Sequence, residues 1–219
     1  MLPSQIEDVS KEFRKLPGVG SRGSQKMALD ILQLNEDSFN QFIVSLDNMR
    51  KSVSFCSNCG FFAEKRSGYN TVNSGPVCNI CSNKSRIQYQ ICLVEKATDI
   101  ISLEKSQSFR GLYHVLEKLI SPLDNVFPQD TKLNDLLERR LSKQLLENEV
   151  GVELIIFFKQ GFSADATTAY LVERLKQMSL LGKVKITKLA QGLPMYFNTE
   201  TLDNETLSRA VQDRREVSM

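Results

Sequence analysis

The sequence predicts a multidomain α+β protein, in which a helical N-terminus, a cysteine-bearing segment and an α/β domain with a mainly parallel sheet follow one another along 219 residues. Three observations predict it. Apolar residues recur at three- and four-residue intervals through the first 50 positions, the period of a helix face. Four of the five cysteines fall into two CxxC pairs within a stretch poor in apolar residues. Beyond that stretch, strand-like apolar runs alternate with helical patterns, the order that builds a parallel sheet covered by helices.

The composition, 41% hydrophobic and 25% charged, is that of a globular chain with room for one large domain or two to three small ones. No run approaches the roughly 20 apolar residues of a membrane-spanning helix, and the opening MLPSQIEDVSKEF lacks the apolar core of a signal peptide. A cytoplasmic location is therefore expected. A reducing compartment disfavours disulfides, so paired cysteines point to metal. The fifth, Cys92, lies in the apolar run Ile91-Cys92-Leu93-Val94 and is expected in the core.

The first helix is announced by Ile6, Val9, Phe13 and Leu16 and stops at Pro17-Gly18. The second carries Met27, Ile31 and Leu34, with Ser21 available as its cap, and Phe39, Phe42, Ile43 and Leu46 predict a third before Arg50. Between the first two, Leu16-Pro17-Gly18-Val19-Gly20 reads as the turn of a helix-hairpin-helix element. Gly18 and Gly20 let the backbone come close to a phosphate, and the next helix directs its free N–H groups and positive dipole end at the same anion. Arg22 and Lys26, four residues apart, project from one face of that helix. Between Lys11 and Lys26, Lys11, Arg14, Lys15, Arg22 and Lys26 face Glu12 alone, as a DNA-binding surface requires. A helix pair that merely packs would use the same turn.

Cys56-x2-Cys59 and Cys78-x2-Cys81 enclose an 18-residue gap, the spacing of a zinc ribbon or knuckle. Gly60 and Gly75-Pro76 supply turns that let the sulfurs converge. Four thiolates fill a tetrahedral zinc and leave no position for water, so one structural Zn2+ is expected; four reduced cysteines without metal are the alternative. The segment is too poor in apolar residues to fold unaided, which leaves metal to hold it. Around it, from Arg50 to Tyr89, six basic residues (Arg50, Lys51, Lys65, Arg66, Lys84, Arg86) stand against Glu64.

Strands are predicted at Ile91–Val94, Leu154–Phe158 and Val184–Leu189, helices at 97–105, 131–148 and 165–180, and a short polar helix at Glu205–Glu216. Glu95 directly follows the first strand, where α/β proteins place functional carboxylates. A two-metal nuclease would need several acids after the later strand, and Lys159-Gln160-Gly161-Phe162-Ser163-Ala164-Asp165 offers one. His114, the single histidine, is expected to be structural.

Taken in order, LPGVGSRGSQKMA, CSNCG, CNIC, ICLVEKATDII, FRGLYHVL, SPLD, DATTAYL, GLP and TLSRA resemble the RecR family of bacterial recombination mediators over nearly the whole chain. The resemblance implies a helix-hairpin-helix over 1–53, a four-cysteine zinc finger over 54–84, a Toprim domain over 85–182 and a short Walker B-like C-terminal segment over 183–219. It also implies a non-enzymatic DNA clamp of recombinational repair with no catalytic residues, assembled as a ring-shaped homo-oligomer and associated with the nucleoid. Such clamps work with RecO, and in some settings RecF, to load RecA on gapped or single-stranded DNA. Arg22 and Lys26 stand at the family's basic DNA-contacting positions, and Glu95 and Asp165 at acidic positions that meet RecO. The sequence departs from the family where Glu95 is followed by Lys96, where Lys159, Ser163, Ala164 and Asp165 replace an acidic loop, and at Gln191-Gly192-Leu193-Pro194. A magnesium-dependent Toprim nuclease or primase-like enzyme built on Glu95 and Asp165 is the alternative.

Overall fold

The protein is described here from a computed structural model, which places residues 2–65, 75–147 and 151–189 together with Ser208. Two compact units divide the chain, Met1–Val53 and Ser54–Met219. Of the predicted tail helix only Ser208 is described, and it is helical; the Gln191–Pro194 stretch lies outside the described residues.

The first unit holds α1 (Ser4–Arg14), α2 (Ser21–Leu32) and α3 (Glu36–Ser52). Small residues let α1 and α2 approach closely: Ser10, Ser24 and Ala28 are buried, and the two serine hydroxyls bond each other at 2.9 Å. α3 starts on Asn35, whose side chain accepts from the Ser38 N–H at 2.8 Å. The apolar positions that predict these helices do not form an interior. Ile6, Phe13 and Ile31 are half-buried, Val9, Leu16, Met27, Leu34, Phe39, Phe42, Ile43 and Leu46 are exposed, and α3 buries no residue.

From the boundary onward, β1 (Val53–Phe55) and β2 (Phe62–Glu64) form a two-stranded ribbon, and in the second unit the single turn α4 (Asn79–Ser82) follows. Next come β3 (Gln90–Val94), α5 (Ala97–Ser106) and β4 (Leu112–Val115). A π-helical stretch, Asp135–Leu141, runs into α6 (Ser142–Glu147), and β5 (Val152–Phe157), α7 (Phe162–Gln177) and β6 (Val184–Lys188) complete the unit. The sheet is wholly parallel in the order β4-β3-β5-β6. β6, grouped by the sequence pattern with the C-terminal segment, is thus paired to β5 within this sheet.

Side chains alternate across the sheet and give it two cores. Ile91, Leu93, Leu112 and Leu154 pack with Leu133, Leu136, Leu137 and Leu141 of the π-helical region and with Leu171 and Leu175 of α7. On the opposite face, Cys92, Val94, Tyr113, Val115 and Ile100 pack with the four paired cysteines, Ala63 and Ile80. The cysteine segment therefore completes one face of the sheet, and this shared core supplies what its composition lacks. Cys92 is 3% exposed, as its apolar run predicts, and burial pushes its thiol up to about 12.

The sequence pattern misses β4, because four residues buried on both faces leave neither alternation nor length to read. His114 lies on it, 1% exposed, with Nε2 3.0 Å from the Lys132 carbonyl. The carbonyl can only accept, so Nε2 carries the proton, and Nδ1 has no partner among the described residues. Burial, and then the charge of Arg140, lower its pKa to about 4.

Candidate functional site

The two CxxC pairs come together in the second unit. Cys56 and Cys59 sit in the turn between β1 and β2, while Cys78 caps α4 and Cys81 lies within it. The four Sγ atoms lie within 4.8 Å of one another, with Cys59 and Cys78 at 3.5 Å. A tetrahedral ion at the usual metal–sulfur distance of about 2.3 Å sets sulfurs about 3.8 Å apart, so the cluster fits one. Backbone N–H groups point at the sulfurs: Phe61 to Cys59 at 3.4 Å, Cys78 to Cys56 at 3.3 Å and Cys81 to Cys78 at 3.4 Å. Such bonds favour thiolate, the form that binds metal. Hydrogen bonds from Cys59, then from Cys78 and Cys81, hold Cys56 far below the usual thiol range, while the same sulfur–sulfur contacts push Cys59 and Cys81 up, as four thiols sharing their protons must do.

The turn geometry follows from Gly60, whose φ of +77° is left-handed, and where a Cβ would meet that of Val115 at 3.1 Å. Its N–H donates to the Cys56 carbonyl at 2.9 Å, and the Ser57 N–H donates to the Pro76 carbonyl at 2.9 Å, tying the two halves of the cluster.

This segment also seals a sheet edge. β4 is an outer strand, and its outward backbone groups would otherwise lack partners. The Val115 N–H donates to the Cys59 carbonyl at 2.8 Å, and the Gly111 carbonyl accepts from Arg86 Nε at 2.8 Å. The Tyr113 carbonyl accepts from Arg140 Nη1. Arg86 also grips Glu104 with both terminal nitrogens, at 2.9 and 2.6 Å, and lies over the Tyr113 ring, whose hydroxyl donates to the same carboxylate at 2.6 Å. It belongs to the scaffold and not to a basic surface.

In the first unit, Leu16-Pro17-Gly18-Val19 closes through the Val19 N–H to the Leu16 carbonyl at 3.2 Å, with Gly18 at φ +80°. Proline second and left-handed glycine third make a type II turn. Gly20, not the expected Ser21, caps α2, and Ser21 is its first helical residue. Glycine has no side chain to bond the first-turn N–H groups, and no acid stands in that turn. The helix thus starts with open donors and an unopposed dipole. Arg22 and Lys26 are exposed on it and form no ion pair among the described residues.

A third feature is an open cleft of about 440 Å³ at the carboxyl ends of the strands, where open α/β sheets bind ligands. Glu95, Glu117, Lys118, Asp124, Lys159 and the first turn of α7 line it. Asp165 is not part of that lining; it is exposed, and its carboxylate lies 3.5 Å from Lys188 Nζ. Glu117 and Asp124 follow β4, and the sequence pattern carries no sign of them. Among the described residues the carboxylates do not draw together as the thiols do.

Comparisons with known proteins agree with this architecture. Residues 6–50 match the RecR helix-hairpin-helix family, and residues 89–190 match the Toprim domain family. Over 215 residues, covering 98% of each chain, the sequence is 34% identical to the recombination protein RecR of Staphylococcus aureus strains MRSA252, Newman and USA300. With a helix-hairpin-helix, a four-cysteine cluster and a parallel Toprim sheet in one chain, and with likeness along almost its full length, the protein belongs to the RecR family.

Proposed function

We propose that this protein is a non-enzymatic, DNA-binding clamp of recombinational repair, acting in the cytoplasm at the nucleoid. The observation that carries the reading is the start of α2: a type II turn followed by a glycine-capped helix whose first-turn donors are open, with Arg22 and Lys26 exposed on the same helix. Gly18 and Gly20 bring the backbone to a phosphate, and the two cations contact its neighbours. Contacts of this kind fix position without reading sequence, which suits a clamp.

Several further elements belong to the reading. The ion at Cys56, Cys59, Cys78 and Cys81 is Zn2+, structural because four thiolates leave no open position. The exposed apolar residues of α1 to α3 are covered by further copies of the chain, and a closed ring of copies encircles DNA. Glu95, in the cleft, and Asp165, beside Lys188, contact RecO, with RecF as a further partner, and the complex loads RecA on gapped or single-stranded DNA. The domain limits are 1–53, 54–84, 85–182 and 183–219, the last lending strand β6 to the Toprim sheet and carrying the Walker B-like segment.

Salt titration tests the DNA reading. Removing one cation from a phosphate should lower the slope of log K against log salt by about 0.7 to 0.9, so Arg22→Ala with Lys26→Ala should weaken binding to every sequence alike. Metal content and oligomer size should stay those of the parent. A double variant that binds gapped and duplex DNA as tightly as the parent at equal salt would sink the proposal.

The second reading, a magnesium-dependent Toprim nuclease or primase-like enzyme, draws on Glu95, Glu117 and Asp124 lining one cleft. Magnesium-dependent nicking abolished by Glu95→Gln would establish it. Lys118 and Lys159 among those acids, and the lack of a convergent carboxylate group among the described residues, favour the clamp.

A further inference from the structure

Arg140 is the one arginine or lysine buried among the described residues, at 6% exposure, and it pairs with no carboxylate there. A buried cation without a counter-charge is costly, so something else must balance it. Its Nη1 donates to the Asn58 carbonyl at 2.8 Å and to that of Tyr113, and its Nη2 lies 3.8 Å from Cys81 Sγ. The guanidinium therefore spans three parts of the fold: the turn between Cys56 and Cys59, the outer edge of β4 and a sulfur of the second cysteine pair. A divalent ion with four thiolates carries a net charge of −2. Of the groups that the Arg140 guanidinium touches among the described residues, the Cys81 sulfur is the one able to carry negative charge.

We propose that Arg140 is the counter-charge of the metal–thiolate centre, a positioning residue that couples metal retention to the order of the π-helical segment. The proposal rests on the metal reading of the four cysteines. The π-helix is the device that makes the contact. Its wider turn carries Arg139 and Arg140 side by side to the first cysteine pair, where Arg139 Nη2 donates to the Ser57 carbonyl and its guanidinium grips Asp135. Only a planar fork can serve two carbonyls and a sulfur at once. Lysine keeps the charge but has one nitrogen to place.

Two predictions separate this role from simple packing. Metal affinity of the purified full-length chain, measured by competition with a chromophoric chelator, should fall roughly 10- to 100-fold in Arg140→Gln, as for other groups that support metal ligands. Arg140→Lys should restore little of it. In the Co2+-loaded chain both variants should move the thiolate-to-cobalt charge-transfer band, whereas Lys176→Gln, an exposed cation of α7 paired with Glu173, should leave the band in place. Folded Arg140 variants with the parent's affinity and band would overturn the proposal. If those variants fail to fold, the parent decides: on removal of its metal, amides 135–141 should lose protection against hydrogen exchange together with residues 56–61. Retained protection at 135–141 refutes the coupling. A parent chain that binds neither Zn2+ nor Co2+ refutes the metal reading itself, and the proposal with it.

Discussion

His114 makes the stability of the second unit depend on pH in a way that can be worked from its surroundings. It is fully enclosed, donates from Nε2 to the Lys132 carbonyl, and has Arg140 as the nearby charge that most opposes its protonation. Its pKa is about 4 when folded, against about 6.5 for a free histidine. Between those values the unfolded chain binds a proton that the native one does not, so stability rises with pH across that window and falls as pH drops through it. Each pH unit there is worth about 1.4 kcal/mol, which gives a loss of about 3 kcal/mol between pH 7 and pH 4. Carboxylates titrate in the same range, and a variant must subtract them. His114→Gln keeps an N–H donor for the Lys132 carbonyl and cannot titrate. Urea unfolding of both proteins at pH 7, 5.5 and 4 should show the parent losing about 3 kcal/mol more than the variant. As the sequence has one histidine, its ring proton resonance gives a second, direct reading. Parallel stability curves, or a ring that titrates near 6.5 in the folded chain, would refute the reasoning.

Two further substitutions probe the sealed edge. Glu104→Ala leaves the half-enclosed Arg86 and the Tyr113 hydroxyl without their carboxylate and should cost about 2 to 3 kcal/mol in urea unfolding at pH 7. The Arg86 guanidinium holds the Glu104 carboxyl below its usual range, so this contribution is present above the unfolded value of about 4.3 and lost as pH falls through the folded one. An unchanged urea midpoint would show the pair to be superficial. Gly60→Ala forces a side chain into left-handed backbone against Val115 and should cost about 1 to 2 kcal/mol, read as a lower melting temperature; equal melting of parent and variant would mean that the turn can relax.

What the sequence made legible was what local geometry encodes. The two CxxC spacings name a cluster because each pair need only turn once to aim its sulfurs. Ile6, Val9 and Phe13 announce a helix by period alone, but period says nothing of what covers it, and Val9 proves exposed. Ser21 looks like the cap because its hydroxyl suits one, whereas the chain enters the helix one residue earlier, at Gly20. Leu136, Leu137 and Leu141 suit an α-helix as well as the π-helix they form, since the pattern of buried leucines does not register one extra residue in a turn. Arg140 carries no signal, because a buried arginine is recognisable only by partners 27, 59 and 82 positions away.

The cover on β4 has a consequence for how the protein fails. Its outer edge is Leu112, Tyr113, His114 and Val115, a buried run without a charged side chain, and it is kept from other strands by the Cys59 carbonyl and two arginines. Loosening of the cysteine segment would bare that row of unpaired donors and acceptors while the rest of the sheet still stood. A strand in that condition pairs with any other it meets, the usual beginning of aggregation. Removal of the cover would thus be seen first as turbidity, before the parallel sheet melts, and high protein concentration would hasten it.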